Sequence, residues 1–161
     1  MNSRLAFTIN ADHYQFYLED ERARPAYERL WTKETYAERI AVLPGIVAVG
    51  TARYGQAIPV EVEIRDGPPE AEPFEAWDHV VECALDATSG RLRLSDPDSL
   101  GMGVPQFQVP PGTYRVRIYY ANLDSVWGGG DLDGDDRYRI VLWPGTFIAP
   151  QVLKRKPVPD E

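Results

Sequence analysis

Alternation of apolar and polar residues, interrupted at short intervals by glycine, proline and aspartate, is the feature that most narrows what this chain can fold into. In "IPVEVEIRDG" Val60, Val62 and Ile64 fall on one side and Glu61, Glu63 and Arg65 on the other, the two-residue repeat of a strand with one buried face. "GTYRVRIYY" opposes Tyr114, Val116, Ile118 and Tyr120 to Arg115, Arg117 and Tyr119, and "RYRIVLW" opposes Tyr138, Ile140 and Leu142 to Arg137, Arg139, Val141 and Trp143. "WDHVVECALD" puts His79, Val81, Cys83 and Leu85 on one face. The breaks "DGPPE", "ATSG", "SDPD" and "VPPG" are too short to hold crossover helices, so they read as hairpin turns.

Further strands are expected over 5–10, 13–18 and 46–52, the last buried on both faces. One helix is expected in "LWTKETYAERIAVLPG": Thr32 caps it, Glu34 suits its positive end, Tyr36, Ile40 and Leu43 form its apolar stripe, and Pro44-Gly45 stops it. The expected fold is therefore all-β, an antiparallel two-sheet sandwich of about eight or nine strands with one short helix. We place this domain over 1–146 and a tail, surface-packed or disordered, over 147–161, where three basic residues and three prolines cluster.

At 161 residues the chain can bury a core without metals or disulfides. No apolar run approaches the roughly 20 residues that cross a bilayer, and the first residues lack the apolar core of a signal peptide. The lone Cys83 suits a reducing compartment, so the expected location is the cytoplasm. A net charge of -8 argues against direct binding of nucleic acid or anionic lipid and leaves a basic protein as the better partner.

"DLDGDD" is the chemically loaded segment. Asp131, Asp133 and Asp135 match positions 1, 3 and 5 of a helix-flanked calcium loop, where a hard cation needs converging carboxylates. The rest of that motif fails, because Asp136 stands where glycine makes the sharp turn, Arg139 at position 9, and Leu142 where a bidentate Glu closes the cage. Calcium stays open as an alternative, with Asp124 as a possible added ligand; no other cofactor is indicated. The plainer account is a solvated hairpin loop in which Gly128, Gly129 and Gly130 allow unusual backbone angles. Trp127 beside it is either an exposed aromatic anchor for a protein partner or part of the core.

Arg115, Arg117, Arg137 and Arg139 are expected to share a face, with Glu61, Glu63 or Glu82 neutralising them across strands. The chain has two histidines, His13 and His79, and neither lies in a recognisable nucleophile or metal motif. His79 and Cys83 read as packed core residues rather than a zinc site, and Asp12-His13 is a dyad only if the fold adds a third group. No enzyme is indicated.

"HYQFYLED", "LWTKETYAERIAVLPGIVAVGTAR", "IPVEVEI", "VPPGTYRVRIYYANLD" and "RYRIVLWPG" together resemble the small bacterial proteins related to competence protein J, over about residues 13–144. The Trp31-Thr32 helix entry, the "PPG-Y" hairpin start and the "LWP" strand end are the more distinctive parts of the likeness. The resemblance implies a cytoplasmic all-β sandwich and, for the family's namesake, binding and inhibition of a DNA-entry nuclease. It supplies no inhibitory motif to transfer residue by residue. The expected function is a non-enzymatic binding protein, an inhibitor or immunity-type partner of a basic nuclease or toxin, acting through Trp127, Asp131, Asp133, Asp135 and Asp136. The alternative is a calcium-stabilised structural or ligand-binding sandwich.

Overall fold

The computed structural model describes residues 2–24, 26–70, 73–99, 101–127 and 130–158. Along the chain run β1 (Ser3–Asp12), β2 (Gln15–Asp20), α1 (Lys33–Glu38), β3 (Ile40–Leu43), β4 (Ile46–Gly50), β5 (Gly55–Ile64) and β6 (His79–Ala87). They are followed by β7 (Arg91–Ser95), β8 (Gln106–Gln108), β9 (Gly112–Ala121), β10 (Arg137–Pro144) and β11 (Gln151–Lys154). Among the described residues no helix is long and apolar enough to cross a membrane.

The chain is mostly β with one short α-helix, but the expected pair of separate antiparallel sheets is replaced by a single mixed sheet. Its order is β11-β6-β9-β10-β5-β1-β2-β4-β3, with β7 branching from β2 and β8 pairing β7. β5 and β10 run parallel, in register from Tyr138 opposite Val60 to Leu142 opposite Ile64. The sheet curls at the β1–β2 turn, where Asp12 and Gln15 alone are in register, while β1 pairs along its whole length with β5 and β2 turns away to β4 and β7. Curling lets one core serve both arms: Val60, Val62, Val116, Ile118, Ile140 and Leu142 from one meet Phe16, Leu18, Val47, Val49, Leu92 and Leu94 from the other. Every apolar face named from alternation points into this core. Truncating a fully buried member such as Ile118 to Ala costs about 2–5 kcal/mol.

The helix is shorter than its apolar spacing suggested. Thr32 does cap it, accepting the Thr35 N–H in a reciprocal box, but it ends at Glu38 because Arg39 turns left-handed at φ 60°. Ile40 and Leu43, expected on the helix stripe, instead belong to β3, which pairs β4 around Pro44-Gly45, with Gly45 at φ 77°. Two β-branched runs flanking a two-residue turn gain a ladder and a buried face, which outweighs the local helical spacing. β4 is buried on both faces, as expected, with Val47 and Val49 inward and Ile46 and Ala48 covered by Tyr17, Leu30 and Ala41. The segment set apart as a tail adds β11 to the edge of β6, with a register shift between Val152 and Lys154.

Candidate functional site

A cleft of about 940 Å³ opens at the end of the sheet where β1 turns into β2. The turn residues His13 and Tyr14 both have positive φ, at 54° and 63°, which for non-glycine residues costs about 1–3 kcal/mol each. Contacts from two other segments hold them there. The Tyr14 N–H donates to Tyr54 O at 3.0 Å, Tyr14 O accepts the Thr51 N–H at 2.8 Å, and the Tyr14 hydroxyl donates to Asp131 Oδ2 at 2.7 Å. By accepting this hydrogen bond, the Asp131 carboxylate raises the Tyr14 phenol above its usual range. The Tyr14 and His13 rings each lie 5.2 Å from the Tyr54 ring, and Trp31 Nε1 donates to Gln15 Oε1 at 2.7 Å. Tyr14 and Tyr36 remain exposed at the rim.

The acidic segment borders the cleft at Asp131, and its aspartates have different fates. Asp131 faces the cleft, and its carbonyl accepts the Tyr54 N–H at 2.8 Å. Asp133 pairs by its backbone with Trp127, whose N–H donates to Asp133 O at 2.9 Å, and Asp135 donates its N–H to Ser125 Oγ at 2.7 Å. Both side chains are exposed and, among the described residues, neither carboxylate makes a hydrogen bond or ion pair. Trp127 is 65% exposed, which resolves its two sequence readings in favour of the surface. Gly128 and Gly129 lie outside the described residues; Gly130 has φ 82°.

Asp136, expected at the contact surface, is fully buried instead. It accepts from Arg53 Nε at 3.1 Å, from Arg53 Nη2 at 2.6 Å and from the Tyr138 hydroxyl at 2.7 Å. Arg53 also donates to Gly134 O and Ala57 O, so the pair fastens the base of the loop to β5. Its neighbours explain the inward turn: Asp136 has the parity of Tyr138, Ile140 and Leu142, so the β10 alternation extended back one step carries it inside. Asp131, Asp133 and Asp135 do not converge as calcium would require, and among the described residues no group of three or more His, Cys, Asp or Glu side chains could hold a metal.

The cleft also brings together Arg39, Asp124 and Lys156, backed by the buried His79, residues that local sequence reading did not connect. His79 is fully buried, with Nε2 2.7 Å from Glu38 O and Nδ1 3.0 Å from the Lys156 backbone N–H. The carbonyl requires Nε2–H, leaving Nδ1 as acceptor, so the ring works as the neutral tautomer. Burial pulls its pKa down to about 4, with Arg39 and Arg155 pushing the same way against the Glu38 bond. Arg39 donates through Nη1 to Lys156 O and through Nη2 to Pro157 O at 3.4 Å, and Lys156 Nζ reaches Asp124 Oδ2 at 2.9 Å. Arg39, Lys156 and Pro157 all line the cleft.

His79 and Cys83 share the predicted face without forming a pair, since four strand positions separate them. Burial pushes the Cys83 thiol up, the reverse of what a nucleophile needs. His13 Nδ1 lies 3.0 Å from Asp12 Oδ1 on an exposed turn, and among the described residues no hydroxyl or thiol bonds to that ring. On the outer face of β5, β6, β9 and β10, Arg115, Arg117 and Arg139 of the expected stripe are paired with carboxylates as alternation suggested, whereas Arg137 makes no ion pair among the described residues. Glu82 takes Arg115 and Arg117; Glu63 takes Arg65 and Arg139. Burial alone would raise the Glu63 carboxyl, but hydrogen bonds from Arg139 and Arg65 outweigh it and hold the group below its ordinary value. Arg117 lies over Trp143, Arg137 over Trp77 and Arg139 over Tyr119, with ring-centre distances of 4.5–5.5 Å.

No protein-family model matches the sequence, and no curated protein matches it either. Two solved structures share the architecture. One is a crocagin biosynthetic gene J product, with a TM-score of 0.61, 19% identity, and 91% of this chain and 99% of that one covered. The other is ComJ from Bacillus subtilis, an inhibitor of the DNA-degrading activity of NucA, with a TM-score of 0.69, 14% identity, and 90% of this chain and 99% of that one covered. At such identity the likeness is one of fold: across nearly its whole length, this chain is a distant structural counterpart of ComJ.

Proposed function

We propose that this chain is a non-enzymatic, cytoplasmic binding protein of the nuclease-inhibitor type, which engages a basic nuclease through the acidic rim of the cleft. The observation that carries the reading is the exposed Trp127 beside the unneutralised Asp133 and Asp135 carboxylates, on a fold shared with a nuclease inhibitor. A nuclease presents a cationic groove to DNA phosphates, and fixed carboxylates steer such a groove into contact and then occupy it. Trp127 supplies apolar area that is desolvated on docking and slows dissociation. Inhibition is steric and electrostatic, with no bond made or broken. Asp131 positions the rim through Tyr14, and Asp136 anchors it through Arg53, so these two hold the contact surface without forming it.

The test is to capture basic nucleases from a bacterial lysate on the immobilised chain and assay their DNA degradation with and without stoichiometric free protein. Suppressed degradation is expected. Trp127→Ala should weaken binding about 30-fold, as loss of a central aromatic contact does. A captured nuclease that degrades DNA at full rate in the complex contradicts the proposal.

A further inference from the structure

We infer that the side of the cleft lined by Arg39 and Asp124, with the buried His79 behind it, is a receptor for an extended polypeptide segment carrying a lysine or arginine, and that residues 156–158 occupy it as an internal stand-in. The grip is made to backbone as much as to side chain. His79 Nδ1 takes one main-chain N–H, from Lys156, and the Arg39 guanidinium spans two successive carbonyls, Lys156 O and Pro157 O. A donor, two acceptors and a proline that holds φ near -65° describe an extended chain read independently of most of its sequence. The one side chain read is Lys156, whose ammonium meets Asp124.

Three features separate this from ordinary packing of a chain end. Arg39 is partly buried, and burial lowers its pKa, yet among the described residues no carboxylate lies in ion-pair range of its guanidinium; the tail carbonyls are the partners it has. His79 is wholly buried with its bonding completed by the Lys156 N–H. The segment's own apolar contribution is slight, because Lys156, Pro157 and Val158 border the open cleft instead of filling the core. Side chains from α1's end, β6 and the loop after β9 converge on a strip of main chain that contributes little to the core in return.

The inference rests on the binding function proposed above and names what the cleft takes from the partner: a basic, extended segment that displaces residues 156–158. Tethered just beyond β11, the internal segment competes at high effective concentration and lowers the partner's apparent affinity until it is displaced.

The experiment needs no partner, so its outcome is independent of whether a nuclease is inhibited. A chain ending at Pro150, checked for cooperative melting, is titrated by calorimetry with an acetylated and amidated peptide of sequence QVLKRKPV, residues 151–158. Binding is expected, with the peptide carrying Lys156→Glu at least about fivefold weaker and the intact chain taking up neither peptide. Equal binding of the two peptides, or a folded shortened chain that binds neither, overturns the inference. Should the shortened chain not fold, full-length Lys156→Glu sets its own tail against Asp124 and should admit the unaltered peptide. A variant as closed as the parent overturns the inference equally.

Discussion

The outer face of β5, β6, β9 and β10 and the loop from Asn122 to Asp136 both set charge beside tryptophan, yet they are built on opposite terms. On the sheet face each buried carboxylate is shared by arginines, Glu82 by Arg115 and Arg117 and Glu63 by Arg65 and Arg139, and Trp143, Trp77 and Tyr119 lie under guanidinium groups. In the loop Asp136 is locked to Arg53 at the base and Asp124 meets Lys156, while the tip presents Trp127, Asp133 and Asp135 to solvent without a partner among the described residues. The difference teaches that charge count says little about a surface until the partners are known. A lattice satisfied from within has little to offer another protein, whereas a charged tip on a fixed base does.

The sharpest way to break this comparison lies inside the loop itself. Asp136→Ala leaves Arg53 buried without its carboxylate and should destabilise the fold by about 3–5 kcal/mol, while Asp135→Ala should stay within about 0.5 kcal/mol. Denaturant unfolding of the two variants side by side measures both; similar losses would mean that base and tip are not distinct.

A somewhat smaller effect concerns the histidine buried behind the cleft. His79 has a folded pKa of about 4 against 6.5 unfolded, so its contribution is fully present above pH 6.5 and is lost as pH falls toward 4, where the unfolded chain takes the proton first. The loss amounts to roughly 3 kcal/mol. The groups facing the ring are Arg39, Arg155, the Tyr120 ring, the Glu38 carbonyl and the Lys156 N–H, none of them a carboxylate that would reverse the sign. Unfolding free energies at pH 7 and pH 4.5 should diverge by less in His79→Gln than in the parent chain. Equal divergence would remove the ring from the account.

Smaller again, Glu82→Gln weakens the charge-assisted bonds to Arg115 and Arg117 and should cost about 1–2 kcal/mol in denaturant, the sheet face's counterpart to the Asp135 control. A loss below about 0.5 kcal/mol would mean that the lattice contributes little to the fold.

Much of the fold was legible because a strand's faces are set by its own pleat. Val60 and Val62, Tyr114 through Tyr120, and Tyr138 through Leu142 declared their inward sides without knowledge of their neighbours. What pleat cannot declare is the neighbour. The parallel pairing of β5 with β10, and the continuity of the sheet through Asp12 and Gln15, depend on contacts between distant segments. At Ile40–Leu43 the same apolar residues fit a helical stripe and a strand, and the Pro44-Gly45 turn before "IVAVG" was the signal that separated them.

The site divides along the same line. The acidic loop was visible as local composition, and the burial of Asp136 was within reach by carrying the β10 parity back one residue. Arg39 and the segment at Lys156 gave no local sign. They lie 117 positions apart in the chain and meet because β11 pairs with β6 and delivers the following residues to the cleft.

The account's central claim is that the open tip, and not the overall negative charge, recruits the partner. The direct measurement is the association rate with the captured nuclease across ionic strength, for Asp133→Asn/Asp135→Asn and for Glu34→Gln/Glu75→Gln, which removes the same charge from exposed positions elsewhere. The account predicts that the first pair slows association and flattens its salt dependence while the second leaves both nearly unchanged; equal effects of the two pairs would contradict it.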